Sequence, residues 1–415
     1  MVKKPELLAP AGDFEKMKFA FAYGADAVYL GGKEYSLRKK AKNFSNKELE
    51  KAIDYAHFLG KKVYVTVNSF YRDDEFENIE VFLKYLADIK ADAAIISDPG
   101  LMLIIKEKNI KIPVHVSTQS NTTNSNTVRL WENLGAERVI LARELTQKNI
   151  RDIILNSNIE IETFVHGAMC VSYSGRCLLS SFMAGRDSNK GDCAQPCRWK
   201  YKLYYLEEDK RKGKFMPVIE DDTGTYIMNS ADLNLSRKIP ELINAGVCSL
   251  KIEGRMKSSY YVAMVCRIYR QIIDEYIKNP EIFEFKEEWA DELKKISHRN
   301  YTEAAFDENF NSKDQVYKNN YYNRSHRILG YVTSGKQGDF FEVEVKNSFG
   351  YGQQIEVLNM ENSFFQIVQD FYIKDKDSQL VREMNADHGK RIYMRFDKKV
   401  EEFCILRTRM ASNAS

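Results

Sequence analysis

The chain has 415 residues, 44% of them hydrophobic, with 62 Lys+Arg against 59 Asp+Glu for a formal net charge of +3. That length supports one large hydrophobic core and a smaller one, and so small a net charge means that any RNA partner must be argued from local patches. No run approaches the roughly 18 apolar residues of a membrane span, and the start MVKKPELLAPAGD lacks the apolar core of a signal peptide; the expected compartment is the cytoplasm, with no membrane partner.

In chain order, short apolar runs ending in polar or glycine residues alternate with helical periodicity, the rhythm of βα units. Expected strands are Glu6 to Pro10, Ala27 to Gly31, Lys62 to Val67, Ala93 to Ser97, Pro113 to Thr118, Arg138 to Ala142, Ile161 to Val165 and Ser249 to Gly254. Ser45-x-x-Glu48 forms a capping box that opens a helix over Asn46 to Phe58. Eight such strands predict a (β/α)8 TIM-like barrel over residues 1–324, and Thr225 to Ser230 is a competing strand candidate for its last turns. A long cysteine-bearing insertion is expected at about residues 166–248, with a hairpin around the charged turn Glu207 to Gly213. The helical run YYVAMVCRIYRQIIDEYIK closes the barrel, and from residue 325 short alternating runs predict a small all-β domain, a β-barrel or sandwich, to residue 415.

The insertion opens with Cys170, Cys177, Cys193 and Cys197, spaced C-x6-C-x15-C-x3-C and set among Gly, Ser and Asp. Structural zinc usually uses paired C-x2-C knuckles, whereas iron–sulfur cubanes accept looser spacing, so the pattern favours a [4Fe–4S] cluster over zinc or over inert buried thiols. Seven cysteines clustered rather than spread suit a cofactor better than a disulfide framework. Cys248 precedes the eighth strand and so falls at the opposite, N-terminal end of the barrel; Cys266 and Cys404 are expected to be structural.

The phrase E-x-F-x2-G-A-M-C-x4-G-x-C-x-L-S, from Glu162 to Ser180, resembles the signature of the collagenase-like peptidase family 32 of unassigned type. LLAPAGD, AVYLGG, VYVTVN, VHVSTQ, NSADL and LKIEGRMKS extend the resemblance over nearly the whole chain. It implies iron–sulfur-dependent RNA hydroxylation, most like the branch that converts a tRNA wobble uridine to 5-hydroxyuridine with prephenate as oxygen donor. The same resemblance leaves ribosomal RNA hydroxylation and, from the family's name, a peptidase as alternatives; the sequence has no H-E-x-x-H and no G-x-S-x-G.

Side chains two apart share a strand face. The eighth strand therefore points Lys251, Glu253 and Arg255 one way, the third Tyr64, Thr66 and Asn68, the fifth His115, Ser117 and Gln119, and the seventh Glu162, Phe164 and His166. A charged row is too costly to bury beneath helices, so these rows are expected to face inward at the C-terminal mouth, with His166, Lys251, Glu253 and Arg255 as candidate catalytic residues. Glu253 as a simple ion-pair partner of Lys251 or Arg255, and His115 as a core histidine, are the plainer readings. With Glu253 able to neutralise only one of the two cations, the surplus charge is expected to bind the carboxylates of a small anionic co-substrate. Arg38, Lys39, Lys40 and Lys42 after the second strand, and Arg198 and Lys200 after the last cysteine, lie among aromatic residues and are candidate tRNA contacts. The β domain is expected to assist RNA binding or to hold a protein partner.

Overall fold

The computed structural model describes residues 3–36, 42–169, 194, 219–221, 224–226, 231–307, 322–374 and 379–410. The barrel strands are β1 (Glu6–Pro10), β2 (Ala27–Gly31), β3 (Lys62–Val67), β4 (Ala93–Ile96), β5 (Val114–Val116), β6 (Arg138–Ile140) and β7 (Glu160–Ala168). They alternate with α1 (Phe14–Ala22), α2 (Asn46–Phe58), α3 (Phe76–Asp88), α4 (Pro99–Glu107), α5 (Ser125–Leu134) and α6 (Gln147–Leu155). A short hairpin, β8 (Ile219–Asp221) and β9 (Gly224–Tyr226), precedes β10 (Asp232–Asn234), β11 (Ser249–Ile252) and β12 (Tyr301–Thr302). Parallel pairing runs β1 to β7 in order, and β11 joins both β7 and β1 to close the ring.

The predicted barrel is therefore present, with helix ends where the capping residues place them. The Ser45 backbone N–H donates to Glu48 Oε2 at 2.7 Å, and Asp13 caps α1 by accepting from Lys16 N at 3.0 Å. Strand interiors such as Val63–Val67 and Leu7–Ala9 are wholly buried and share one core with the inward faces of the helices. Thr225 is not in a barrel strand, because among the described residues β9 pairs only with β8. The insertion is also shorter than expected at both ends. β7 runs on to Ala168, and β10 returns antiparallel to it, with Asp232 opposite Ala168 and Asn234 opposite His166. The turn Glu207 to Gly213 lies outside the described residues.

After the closing helix Ser259–Lys278 come a helix Glu287–Lys295 and the β domain. Its strands are β13 (His326–Gln337), β14 (Phe340–Val345), β15 (Phe349–Gly350), β16 (Gln354–Leu358), β17 (Ser363–Ile367), β18 (Phe371–Lys374), β19 (Leu380–Glu383), β20 (Asn385–Ala386), β21 (Arg391–Met394) and β22 (Ile405–Arg409). Eight of them form one antiparallel sheet, β17-β16-β22-β13-β14-β21-β18-β19, over a separate core that includes Leu329, Val343, Ile355 and Leu406. This domain does not hang from a free linker. Phe19 of α1 meets Tyr331 and Phe403 edge-on at 4.9 and 5.3 Å, and the Tyr23 hydroxyl donates to the Phe403 carbonyl at 2.9 Å. Arg407 of β22, fully buried, pairs with Glu356 of its own domain and with Glu292 from the barrel side, both at 2.9 Å. Cutting the chain near Arg324 would expose this apolar and ionic seam, so truncation tests folding as well as RNA binding. Among the described residues no helix is long and apolar enough to cross a membrane.

Candidate active site

Alternation along the strands delivers one polar cleft at the C-terminal mouth, partly open to solvent. Thr66 and Asn68 enter from β3 and the residue after it, Ser117 and Gln119 from just past β5, Phe164 from β7, and Lys251, Glu253 and Arg255 from β11 and its extension. Each of these rows was legible in the sequence by counting in twos. Tyr29 of β2 and Arg143, three residues past β6, complete the wall and were not singled out. Their signal was position: Tyr29 shares the period-two row with Gly31 at the end of β2, and Arg143 follows directly on the apolar run Arg138 to Ala142.

The cations of the cleft are each held by specific partners. Lys251, only 3% exposed, donates to Glu162 Oε1 at 2.9 Å and lies over the rings of Tyr29 and Phe164 at 4.5 and 5.4 Å. Burial lowers its pKa, an effect that the Glu162 carboxylate opposes. Glu162 also accepts from Arg138 Nη1 at 3.0 Å, and Arg138 reaches Glu6 and Glu160, so a buried ionic layer floors the cleft. The expectation that Glu253 alone faces the two lysine and arginine charges is corrected here. Glu162, fully buried on the neighbouring strand, neutralises Lys251, whereas Glu253 lies 3.6 Å from Arg143 and 3.4 Å from the Tyr29 hydroxyl. No surplus of positive charge follows from Lys251.

Arg255 donates from Nη1 to the hydroxyls of Ser36 and Thr66, both at 2.8 Å, and from Nη2 to Asn43 Oδ1 at 3.2 Å. Ser36 and Asn43 stand on either side of the basic stretch in the sequence, so this arginine fastens both flanks of that connection. Gly31 leaves room for the guanidinium, since a Cβ there would lie 2.7 Å from Arg255 Nη1 and force that side chain to shift. Arg143 stacks on Phe164 at 3.9 Å and donates from Nη1 to the carbonyl of Ala168 at 2.6 Å. Ala168 ends β7, two residues before Cys170.

His166 is not on the cleft, contrary to expectation. The β7–β11 register slips between Lys251, which faces Phe164, and Ile252, which faces His166. That bulge at Val165 reverses the parity, so His166 takes the outward direction of Ile252 and is covered by the closing helix. Its ring lies 5.5 Å from Tyr269 and 5.4 Å from Tyr301, and Nδ1 is 3.3 Å from the Tyr269 hydroxyl. Gly167, at φ +109°, makes the bend possible; a Cβ there would meet the Glu253 carbonyl oxygen at 2.6 Å.

Burial holds the His166 imidazole down at about 3, with His298 and Lys257 adding repulsion. The folded pKa is lowered, so below the ordinary value of about 6.5 the unfolded chain takes up a proton that the folded chain refuses, and stability falls as pH drops. Between pH 7 and pH 5 this group is expected to account for about 2 kcal/mol of lost stability, at about 1.4 kcal/mol per pH unit below 6.5. His115 is lowered by burial and titrates in the same sense. Urea unfolding of wild type and His166→Phe at the two pH values checks this; an equal pH dependence in the two proteins would assign the effect elsewhere.

Of the remaining candidates, Lys42 is exposed, with its ammonium 3.7 Å from Asp13 at the start of α1, on the mouth side. Arg38, Lys39, Lys40, Arg198 and Lys200 lie outside the described residues, as do Cys170, Cys177, Cys193 and Cys197. Among the described residues no three His, Cys, Asp or Glu side chains are placed to hold a metal. Cys248 hydrogen-bonds through its backbone to Ile161 before β11, in the ionic layer at the N-terminal end, and burial raises its thiol pKa. Cys266 and Cys404 are buried.

A solvent-open polar cleft at the strand C-termini is where barrel enzymes do their chemistry, and this chain is of that class. The sequence profile of Peptidase family U32 matches residues 12–315, and that of the Peptidase family U32 C-terminal domain matches residues 324–407. The chain belongs to peptidase family U32. It is 39% identical over 362 residues to tRNA hydroxylation protein P1 of Bacillus subtilis, covering 87% of this chain and 85% of that one. It is 38% identical over 398 residues to tRNA hydroxylation protein P of Escherichia coli, covering 87% of each. The 23S rRNA 5-hydroxycytidine C2501 synthase of Escherichia coli is 36% identical over 274 residues, 66% of this chain and 40% of that one.

Proposed function

We propose that this protein hydroxylates a pyrimidine base of tRNA, most specifically a wobble uridine, using a [4Fe–4S] cluster and prephenate. The observation that carries the reading is the likeness to tRNA hydroxylation proteins across both barrel and β domain, 87% of the chain. The cleft supports it. Its wall combines guanidinium, ammonium, amide and hydroxyl donors rather than the apolar slot of a peptidase subsite. Exposed Lys42 at the rim offers charge to phosphate.

The cluster rests on the spacing of Cys170, Cys177, Cys193 and Cys197, which follow β7 in the sequence. When bound, it would supply redox or Lewis-acid chemistry at iron. The described residues bind and orient: Arg143 and Glu253 shape the cleft wall, and Arg255 fastens the flanks of the basic connection. A cysteine peptidase reading would use His166 as base, and His166 faces away from the cleft.

Mass spectrometry of tRNA and ribosomal RNA nucleosides from a deletion strain, complemented with wild type or with Cys193→Ser, tests the proposal. Loss of 5-hydroxyuridine derivatives restored only by wild type is the expected result. Loss of a hydroxycytidine from ribosomal RNA instead would move the substrate, and unchanged nucleosides in both pools would end the reading.

A further inference from the structure

The outward face of the β domain carries a second feature that the cleft does not use. In β14 the side chains alternate, with Val343 and Val345 entering the domain core while Phe340, Glu342 and Glu344 face out. Pairing places Tyr393 opposite Glu342 and Tyr372 opposite Tyr393, so these rings lie on the same side of the sheet, Phe340 and Tyr372 partly exposed and Tyr393 buried beneath Lys374. Phe340 meets Tyr372 edge-on at 4.9 Å, Arg395 lies over Phe340 at 4.6 Å, and Lys374 over Tyr393 at 4.7 Å. Arg391, Arg395 and Lys374 are exposed. Of the two acids on this side, Glu342 accepts from the Tyr393 hydroxyl at 2.8 Å and Thr333 at 2.7 Å and pairs with Arg391 at 3.2 Å, and Glu344 lies 4.0 Å from Arg391. Aromatic rings interleaved with exposed cations match a chain of stacked bases on a phosphate backbone; they do not match an apolar protein surface.

The same face runs back to the barrel. Lys346 bridges Glu344 at 2.8 Å and Glu15 at 3.0 Å, and the Tyr331 hydroxyl also reaches Glu15. Glu15 stands in the first turn of α1, just past the C-terminal end of β1, and so on the mouth side of the barrel. Phe340 precedes Glu344 by four strand positions, ~14 Å along β14, a span that a few nucleotides cover.

We infer that the outward face of β14, β18 and β21 is a single-stranded RNA platform that stacks bases flanking the one delivered to the barrel mouth. This rests on the RNA-modifying reading of the cleft and adds to it where the substrate lies. Stacking supplies affinity with little sequence preference, and the cations supply its salt dependence.

The test is fluorescence anisotropy of labelled tRNA with the full chain, as wild type, Phe340→Ala/Tyr372→Ala and Arg395→Gln/Lys374→Gln. Melting curves serve as the check on folding. The aromatic pair variant is expected to bind at least about 10-fold more weakly with an unchanged salt slope. The cation pair variant, whose side chains are exposed and so safe for the fold, is expected to bind more weakly with a slope reduced by about 1 to 2. Wild-type affinity and slope in the cation variant overturn the platform while leaving the hydroxylase reading intact. A wild type that binds no tRNA overturns both, and normal RNA affinity with loss of a protein partner reassigns the face to protein docking.

Discussion

Glu162→Gln is expected to lower the stability of the folded chain by about 3–5 kcal/mol, the cost of removing one partner from a buried ionic group. Glu162 is fully buried between Lys251 and Arg138, at 2.9 and 3.0 Å, so the neutral amide leaves an ammonium that is 3% exposed facing a dipole where it faced a charge. The pH dependence identifies the cause. Burial already lowers the Lys251 pKa, and without the carboxylate that opposes burial it falls further. A lysine with a lowered folded pKa is stabilised as pH rises, because the unfolded chain is then the better proton binder. Glu162→Gln should therefore recover part of its deficit between pH 7 and pH 9, its stability rising more steeply with pH than that of wild type. Urea unfolding measures both effects. A variant within about 1 kcal/mol of wild type, or one whose deficit is flat with pH, would mean that the floor layer tolerates a free ammonium, for instance through entering water. Glu162→Leu combined with Lys251→Met should regain much of the stability, since a buried pair can be exchanged for apolar packing.

The barrel was legible because its signals are local. Four of the expected strands begin and end within a residue of their structural bounds: Glu6–Pro10, Ala27–Gly31, Lys62–Val67 and Ala93–Ile96. The inward rows of β3, β5 and β11 followed from period-two counting alone. The same counting failed at His166 because a bulge is a pairing event. Nothing in IETFVHGAM announces that Val165 is the extra residue, although Gly167 marks a place where the chain turns through positive φ. Charge pairing failed for a related reason. Glu162 lay in a row that was correctly counted, but which cation it meets depends on β11 closing beside β7, some ninety residues later. The seam between barrel and β domain, with Arg407 at its centre, is likewise a contact between segments whose sequences look independent.

Arg143→Ala is expected to reduce tRNA hydroxylation by about a hundredfold, while the protein remains folded. The side chain does three things at once. It stacks on Phe164 at 3.9 Å, faces Glu253 at 3.6 Å and holds the Ala168 carbonyl at 2.6 Å. The last contact fixes the point at which β7 leaves the barrel, and the first of the clustered cysteines follows two residues later. Charged hydrogen bonds of this kind are worth about 1.5–3 kcal/mol, and about 2.7 kcal/mol in a barrier is a hundredfold in rate. Arg143→Lys should rescue little, since a lysine cannot serve the carboxylate and the carbonyl with one planar fork or lie flat on Phe164. The measurement is hydroxylated nucleoside per tRNA in a deletion strain expressing each variant, alongside iron content and melting temperature of the purified proteins. Reduced product with retained iron assigns Arg143 to the cleft wall; reduced product with lost iron assigns it to the exit of β7. Full activity in a folded Arg143→Ala protein would remove it from both roles and leave Lys251 and Arg255 as the described cations of the cleft.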